Sequence, residues 1–435
     1  MTSLKIGVCG LGTVGSGVIK LFNDHQGLIQ QRCNADLQLV HIGARRDNAD
    51  CDTSRYRVSR DIFDVVRDPE VDIVVELIGG TTVARDLVTQ AIQAGKHVVT
   101  ANKALIAEFG NELIALAEQA QVALRFEAAV AGGIPVIKVL RESLAANVVS
   151  GVAGIINGTG NFILTEMANA GRSFDDVLAE AQALGYAEAD PTFDIDGTDA
   201  AHKLVILASI AFGIPLDANA PIMEGIDTVT PEDLNFAKEL GFCVKHLGIA
   251  RRCGDAIDLR VHPTLIPEGR LLANVNGVKN AVLVEGDAVG PTLYYGAGAG
   301  AEPTASAIVA DIVDLARELS AGQSCRVPAL GVATADLKAL PVLPMEQVVT
   351  PWYLRIIAED KPGVLSSIAS IFSDHGISME ALIQKPPAEG ETRVPLIVLT
   401  SRASQGSMDV AVATIEALES ISGEVARIRV EALDG

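Results

Sequence analysis

The chain has no concentration of lysine and arginine. Its 34 basic residues are outnumbered by 55 acidic ones, giving a formal charge of -21. With no cluster to neutralise phosphates, no nucleic-acid partner is expected. Closely spaced cysteines are also missing. The six at positions 9, 33, 51, 243, 253 and 325 show no metal-type pairing, and Cys9 falls inside an apolar strand pattern, which fits a reduced, cytoplasmic chain. No apolar run is long enough to span a bilayer, and Met1 to Lys5 lead into a strand instead of a signal peptide. Neither a membrane partner nor secretion is therefore expected. What is present is 435 residues with 49% apolar content, enough for two or three domains with their own cores. A small molecule is the default partner.

Acids, glycines and one lysine crowd the stretch from Leu184-Gly185-Tyr186-Ala187-Glu188-Ala189-Asp190-Pro191 to Lys203. Its first half reads as a loop, because Pro191 lacks an amide hydrogen and Gly185 and Gly197 break helices. From Thr198 to Ala208 the pattern turns helical, and a four-residue offset puts Asp199 and Lys203 on one face. A carboxylate and an ammonium there, with Glu188 on the loop, suit a small amino alcohol whose proton is to be moved. A solvated surface pair fits the stretch equally well.

At the other end of the chain, the strand pattern Leu4 to Cys9 runs into Gly10-Leu11-Gly12-Thr13-Val14-Gly15 and then a helical pattern. This is the context a dinucleotide-binding turn needs. Gly10 makes the turn, Gly12 lets a pyrophosphate approach, Gly15 lets the helix pack, and Thr13 and Val14 open the helix whose N-terminus faces the phosphates. The second strand, Leu37 to Ala44, ends at Arg45 and Arg46 where an acid would hold a plain ribose. A guanidinium can bind a 2'-phosphate, so NADP(H) is favoured and NAD(H) remains open. Asp47 and Asp50 could instead neutralise those arginines. Further strand and helix alternation predicts a parallel sheet, with Lys103 just past the carboxyl end of a strand, where such sheets bind ligands. Val122 to Glu127 reads as the last strand of this domain. Tyr294 to Thr304, rich in glycine and including Gly300, reads as a loop able to lie against a cofactor, with a helix from Ala305 to Leu319 after it. Residues 339–351, with three prolines, read as a linker. The pattern from Trp352 onward is βαββαβ, a ferredoxin-like unit.

Together these residues resemble the homoserine dehydrogenase family, in its monofunctional bacterial form with a C-terminal ACT domain. The motifs are Gly10 to Gly15, Thr100-Ala101-Asn102-Lys103, Asn157-Gly158-Thr159, Leu184 to Pro191, Asp196 to Lys203, and Gly296 to Gly300 with Pro303-Thr304. The resemblance covers essentially the whole chain, and no kinase-like segment precedes Leu4. One departure is Gly160, where a second hydroxyl residue is expected. The resemblance implies an α/β chain of three parts. Residues 1–130 would form a Rossmann-type dinucleotide-binding domain, completed by the helix around 302–320. Residues 131–338 would form an α+β substrate-binding and dimerisation domain, and 352–435 the ACT domain. It implies reversible NAD(P)-linked interconversion of aspartate 4-semialdehyde and homoserine, in threonine and methionine synthesis. Substrate would meet Gly185, Glu188 and Asp199. Lys203 would be the acid/base, and Lys103 a second lysine at the nicotinamide. Glu127, Val130, Gly132 and Ile134 would hold a monovalent cation, Na+ or K+, largely through backbone carbonyls. Threonine is the expected effector at the ACT domain, and a homo-oligomer, dimer or tetramer, is the expected assembly. A dehydrogenase for a related amino-acid aldehyde and a non-catalytic amino-acid sensor are the alternatives.

Overall fold

Ile6, Val8, Ile42, Ile73, Val75 and Val99 have no exposed surface, as strands covered on both faces require. They lie in a six-stranded parallel sheet: β1 (Ser3–Cys9), β2 (Asp36–Gly43), β3 (Arg57–Ser59), β4 (Ile73–Glu76), β5 (His97–Thr100) and β6 (Leu124–Arg125). The spatial order is β3-β2-β1-β4-β5-β6, so the winding reverses between β1 and β4, where open α/β sheets bind ligands. This computed structural model describes residues 3–323, 326–385 and 392–433, and Cys325 lies outside them. By contacts the chain divides into two compact units, one of residues 1–158, 199–221 and 278–340, the other of residues 159–198, 222–277 and 341–435.

In the first unit the helices Thr13–Cys33 and Ala301–Ser320 share one apolar cluster with the sheet, including Val18, Phe22, Ile308, Ile312 and Leu315. The second helix begins earlier than its pattern predicts. Tyr294 and Tyr295 belong to the strand Gly290–Ala297, and Gly300, at φ 114°, ends the extended run and starts the helix. Pro303 fits inside the first turn because no partner awaits its missing amide hydrogen. The predicted strand at Val122 to Glu127 is also shorter than expected, since Glu127–Ala129 form a 3-10 turn. Strand Gly290–Ala297 pairs with Lys279–Gly286, which pairs antiparallel with Val149–Ile155.

The second unit holds a long hairpin, Phe242–Cys253 with Ala256–Pro267, and the C-terminal βαββαβ repeat. Its strands lie in the order Ala426–Val430, Trp352–Glu359, Arg393–Thr400, Met379–Gln384, all antiparallel neighbours. The repeat joins the hairpin through Thr264 with Arg429 and Leu265 with Val430. Tyr353, Ile397 and Ile428 pack in one cluster with Phe162, Val177, Leu234 and Val244. Residues 339–351, proline-rich as they are, are tied down. The Leu343 amide donates to the Ile257 carbonyl at 2.7 Å and the Ile257 amide to that of Pro341 at 3.0 Å, while Val349–Thr350 pairs with Ala403–Ser404. Prolines delete their own donors but leave those between them to pair. Among the described residues no helix is long and apolar enough to cross a membrane.

Candidate active site

The helix Thr198–Phe212 is buried without interruption from Asp199 to Ile210. A helix that is apolar nearly all round must lie in a core, so its two charged groups are buried with it. The sequence sets its start, because Gly197 at φ 94° breaks the chain and Asp196 Oδ1 accepts from the Thr198 amide at 2.8 Å.

Asp199 and Lys203 face each other across one helical turn at 2.6 Å, which fulfils the expected spacing. Lys203 Nζ also donates to the Ile156 carbonyl at 2.7 Å. The second carboxylate oxygen of Asp199 takes Lys103 Nζ at 2.8 Å. Asn157 Nδ2 donates to Asp199 Oδ2 at 2.8 Å. One buried carboxylate therefore grips two ammonium groups and an amide. Burial alone would push this carboxyl up; the charges of Lys203 and then Lys103, with their hydrogen bonds, overcome that and hold it well below the usual carboxylate range. Lys103 opens the helix Lys103–Ala120 directly after β5, and Asn102 caps that helix by accepting from the Leu105 amide.

The glycine turn follows β1 at the winding reversal. A Cβ on Gly15 would fall 2.1 Å from the Gly10 carbonyl oxygen, and one on Gly10, at φ 111°, 2.4 Å from that of Leu77. A Cβ on Gly12 would meet nothing within 4 Å. The first two glycines are thus required by packing, whereas the third leaves open space over the N-terminus of Thr13–Cys33, which has no side-chain cap. Thr13 and Val14 start that helix. A cradle of bare backbone amides suits a pyrophosphate. Arg45 lies exposed past the end of β2. Asp47 is committed elsewhere, both its oxygens accepting from Arg60 Nη2 at 2.8 Å.

The loop after β6 is wound tightly, with Ala131 at φ 54° and Gly132 at φ 49°. A Cβ on Gly132 would fall 2.5 Å from the Gly298 carbonyl oxygen. The Glu127 carboxylate turns inward, accepting from the Ile137 and Lys138 amides at 3.0 and 2.8 Å. Burial and then the nearby Asp311 push its carboxyl up to about 8. The Ile134 carbonyl already accepts from the Val136 amide, and the chain runs on through Val130 between them. Among the described residues no group of three or more His, Cys, Asp or Glu side chains could hold a metal ion. The carbonyls of a buried loop backed by two acids, the type of oxygen donor that hard cations take, fit a small cation better.

Gly185 and Glu188 belong to the second unit, on the loop after the helix Phe174–Ala183. Gly185 is at φ 75° and Glu188 is exposed. The loop has one element its residues do not announce, a single helical turn at Thr192–Ile195. No local pattern announces Asn157 and the Ile156 carbonyl as partners of Asp199 and Lys203, and only the Asn157-Gly158-Thr159 motif points toward them.

The comparisons with known proteins agree along the chain. Residues 135–313 match the family described as homoserine dehydrogenase, residues 10–127 the homoserine dehydrogenase NAD binding domain, and residues 352–420 the ACT domain. The chain is 56% identical over 434 residues to the homoserine dehydrogenase of Pseudomonas aeruginosa, covering 100% of both. It is similar to the crystal structure of a homoserine dehydrogenase from Thiobacillus denitrificans, with a TM-score of 0.94 and 54% identity over 100% of this chain and 99% of that one. A hyperthermophilic archaeal homoserine dehydrogenase in complex with NADPH matches at a TM-score of 0.60 and 26% identity, covering 72% of this chain and 97% of that one.

Proposed function

We propose, from the premise that this chain belongs to the homoserine dehydrogenase family and has that oxidoreductase activity, that Lys203 is the residue that moves the proton. The chemistry supplied by a bound nicotinamide dinucleotide is hydride transfer at the carbon that is aldehyde in aspartate 4-semialdehyde and alcohol in homoserine. As the carbonyl oxygen gains negative charge in reduction, Lys203 gives it a proton; in oxidation the amine takes the hydroxyl proton back. Lys103 adds a second positive charge for the developing alkoxide and the nicotinamide end. Asp199 fixes both ammonium groups and would meet the substrate, and Gly185 and Glu188 are assigned to substrate binding on their motif alone. The observation that carries this reading is the single carboxylate between two lysines, at 2.6 and 2.8 Å. Lys203→Ala is expected to lower kcat by at least about a hundredfold while NADPH still binds, measured by its fluorescence. Near-normal turnover removes Lys203 from the mechanism.

The remaining assignments rest on narrower support. NADP(H) is favoured by exposed Arg45 and by the commitment of Asp47 to Arg60. Gly10, Gly12, Thr13, Val14, Gly15 and Gly300 would line the dinucleotide. Glu127, Val130, Gly132 and Ile134 would hold Na+ or K+, chiefly by carbonyls, to brace the loop. For threonine as effector, the support is a cavity of about 260 Å³ in the C-terminal repeat, lined by Asp360, Lys361, Gly363 and Gln384. It sits at the uncapped N-terminus of Val364–Asp374, where a carboxylate is favoured. Pairing of copies is supported by the edge strand Met379–Gln384, whose Met379 and Leu382 are exposed. A cytoplasmic setting is supported by the free thiols of Cys9, Cys33, Cys51, Cys243 and Cys253.

A further inference from the structure

Glu76 is the last residue of β4, and it has no exposed surface. An apolar side chain would be cheaper there, since an ionised carboxylate loses its hydration on burial. Burial accordingly pushes its carboxyl up, against hydrogen bonds that favour the charged form. Those bonds have a pattern. Oε1 accepts from the Ile78 amide at 2.8 Å and the Gly79 amide at 3.3 Å, and Oε2 accepts from Thr100 Oγ1 at 2.6 Å. The Thr100 hydroxyl in turn accepts from the Asn102 amide at 3.0 Å, and Asn102 Nδ2 donates to the Gly80 carbonyl at 2.6 Å. The circuit closes on itself. It joins the loop after β4, where Gly79 and Gly80 both have positive φ, to the turn after β5 from which Lys103 projects. Leu77, at the root of the same loop, is what a Cβ on Gly10 would strike, and its amide donates to the Cys9 carbonyl at 2.8 Å.

We propose that Glu76 is a positioning residue: its buried carboxylate sets the Leu77–Gly80 loop and the Thr100–Lys103 turn as one piece, so that the dinucleotide cradle and the Lys103 ammonium are placed together. The inference rests on the role given to Lys103 above. Glu76→Gln keeps the volume and can keep Oε1 on the two amides, but it turns an NH2 toward Thr100 and reverses that bond. Thr100→Val keeps the shape and removes the link to Asn102, and Thr100→Ser restores the hydroxyl.

In the full chain, Glu76→Gln and Thr100→Val are each expected to lower kcat by about tenfold, since small misplacements of reacting groups are costly, and to raise the NADPH dissociation constant severalfold. The double variant is expected to lose no more than the worse single one, because the two act as a unit. Thr100→Ser is expected to recover both quantities. Without cofactor, amide hydrogen exchange at residues 78–80 and 102–105 is expected to quicken in Thr100→Val while β1 stays protected. If Thr100→Val lowers only the melting temperature, with kcat, NADPH affinity and exchange in those segments unchanged, the proposal is overturned. Failure of Thr100→Ser to rescue overturns it too, and these outcomes do not need Glu76→Gln to fold. Lys103→Ala, assayed alongside, separates the two readings. Full turnover there defeats the role of Lys103 itself, whereas loss of turnover there with an intact Thr100→Val enzyme defeats only the positioning role.

Discussion

Asp199 is paired on both of its oxygens and is 2% exposed. Replacing it with asparagine leaves the buried Lys203 ammonium and the part-exposed Lys103 ammonium sharing a neutral amide, and a loss on the order of 3 kcal/mol is expected at pH 7, as for other broken buried pairs. The sign of the pH dependence follows from the depressed carboxyl. A group whose pKa is lower in the folded chain stabilises it fully above the unfolded value of about 3.9 and loses that contribution as pH falls through the lower folded value. The stability gap between the parent chain and Asp199→Asn, followed by urea unfolding, is therefore expected to persist at pH 5 and to shrink only below about pH 4. A gap that closes by pH 6 would refute this account of the pair. At the far end of the cofactor, Arg45→Ala is expected to raise KM for NADPH about tenfold or more and to change KM for NADH little, because a lost charge-assisted bond matters only where the 2'-phosphate is present. Equal changes for both cofactors would rule out the proposed contact.

The glycine turn separates two reasons for having no side chain. Gly15→Ala forces a Cβ to within 2.1 Å of the Gly10 carbonyl oxygen, so a fall in melting temperature is expected along with weaker cofactor binding. Gly12→Ala meets nothing. It is expected to melt like the parent while NADPH affinity drops about tenfold or more, because the added methyl occupies the space a pyrophosphate needs. If Gly12→Ala binds NADPH normally, the phosphates lie elsewhere. This turn was legible in the sequence because its signal is local, a strand, three glycines and a helix in succession. The same holds for Asp199 and Lys203, whose meeting needs only helical spacing. The grip of Lys103 and Asn157 on Asp199 was not legible, since it joins a helix to residues that follow strands of two different sheets, nor was the circuit around Glu76, which depends on the sheet setting the ends of β4 and β5 side by side. The tethering of residues 339–351 was hidden for the same reason. Its partner, Ile257, lies on a distant hairpin, and three prolines argued locally for a loose segment.

On the scale of the whole molecule, the C-terminal repeat is part of a larger core. Tyr353, Ile397 and Ile428 pack with Phe162, Val177 and Leu234. Ending the chain before Trp352 is therefore expected to expose that apolar surface and cause aggregation or early melting, detectable by scattering on heating. A truncated chain that melts like the full one would contradict this packing. A point change is the cleaner test of regulation. Asp360→Ala, in the cavity after Trp352–Glu359, is expected to leave kcat unchanged and to raise the threonine concentration for half inhibition by about tenfold, as loss of a charge-assisted hydrogen bond to the effector's ammonium would. Unaltered inhibition would move the effector elsewhere.

The helix Ala301–Ser320 has a consequence for biosynthesis. It supplies Ala305, Ile308, Ile312 and Leu315 to the core built on β1 and β2, yet well over half the polypeptide must leave the ribosome between those strands and this helix. Until then that face of the nascent sheet is covered only in part, by Thr13–Cys33. The growing chain is expected to wait in a partly assembled condition, and a slow codon placed after Ser320 to raise the soluble yield more than one placed after the sixth strand.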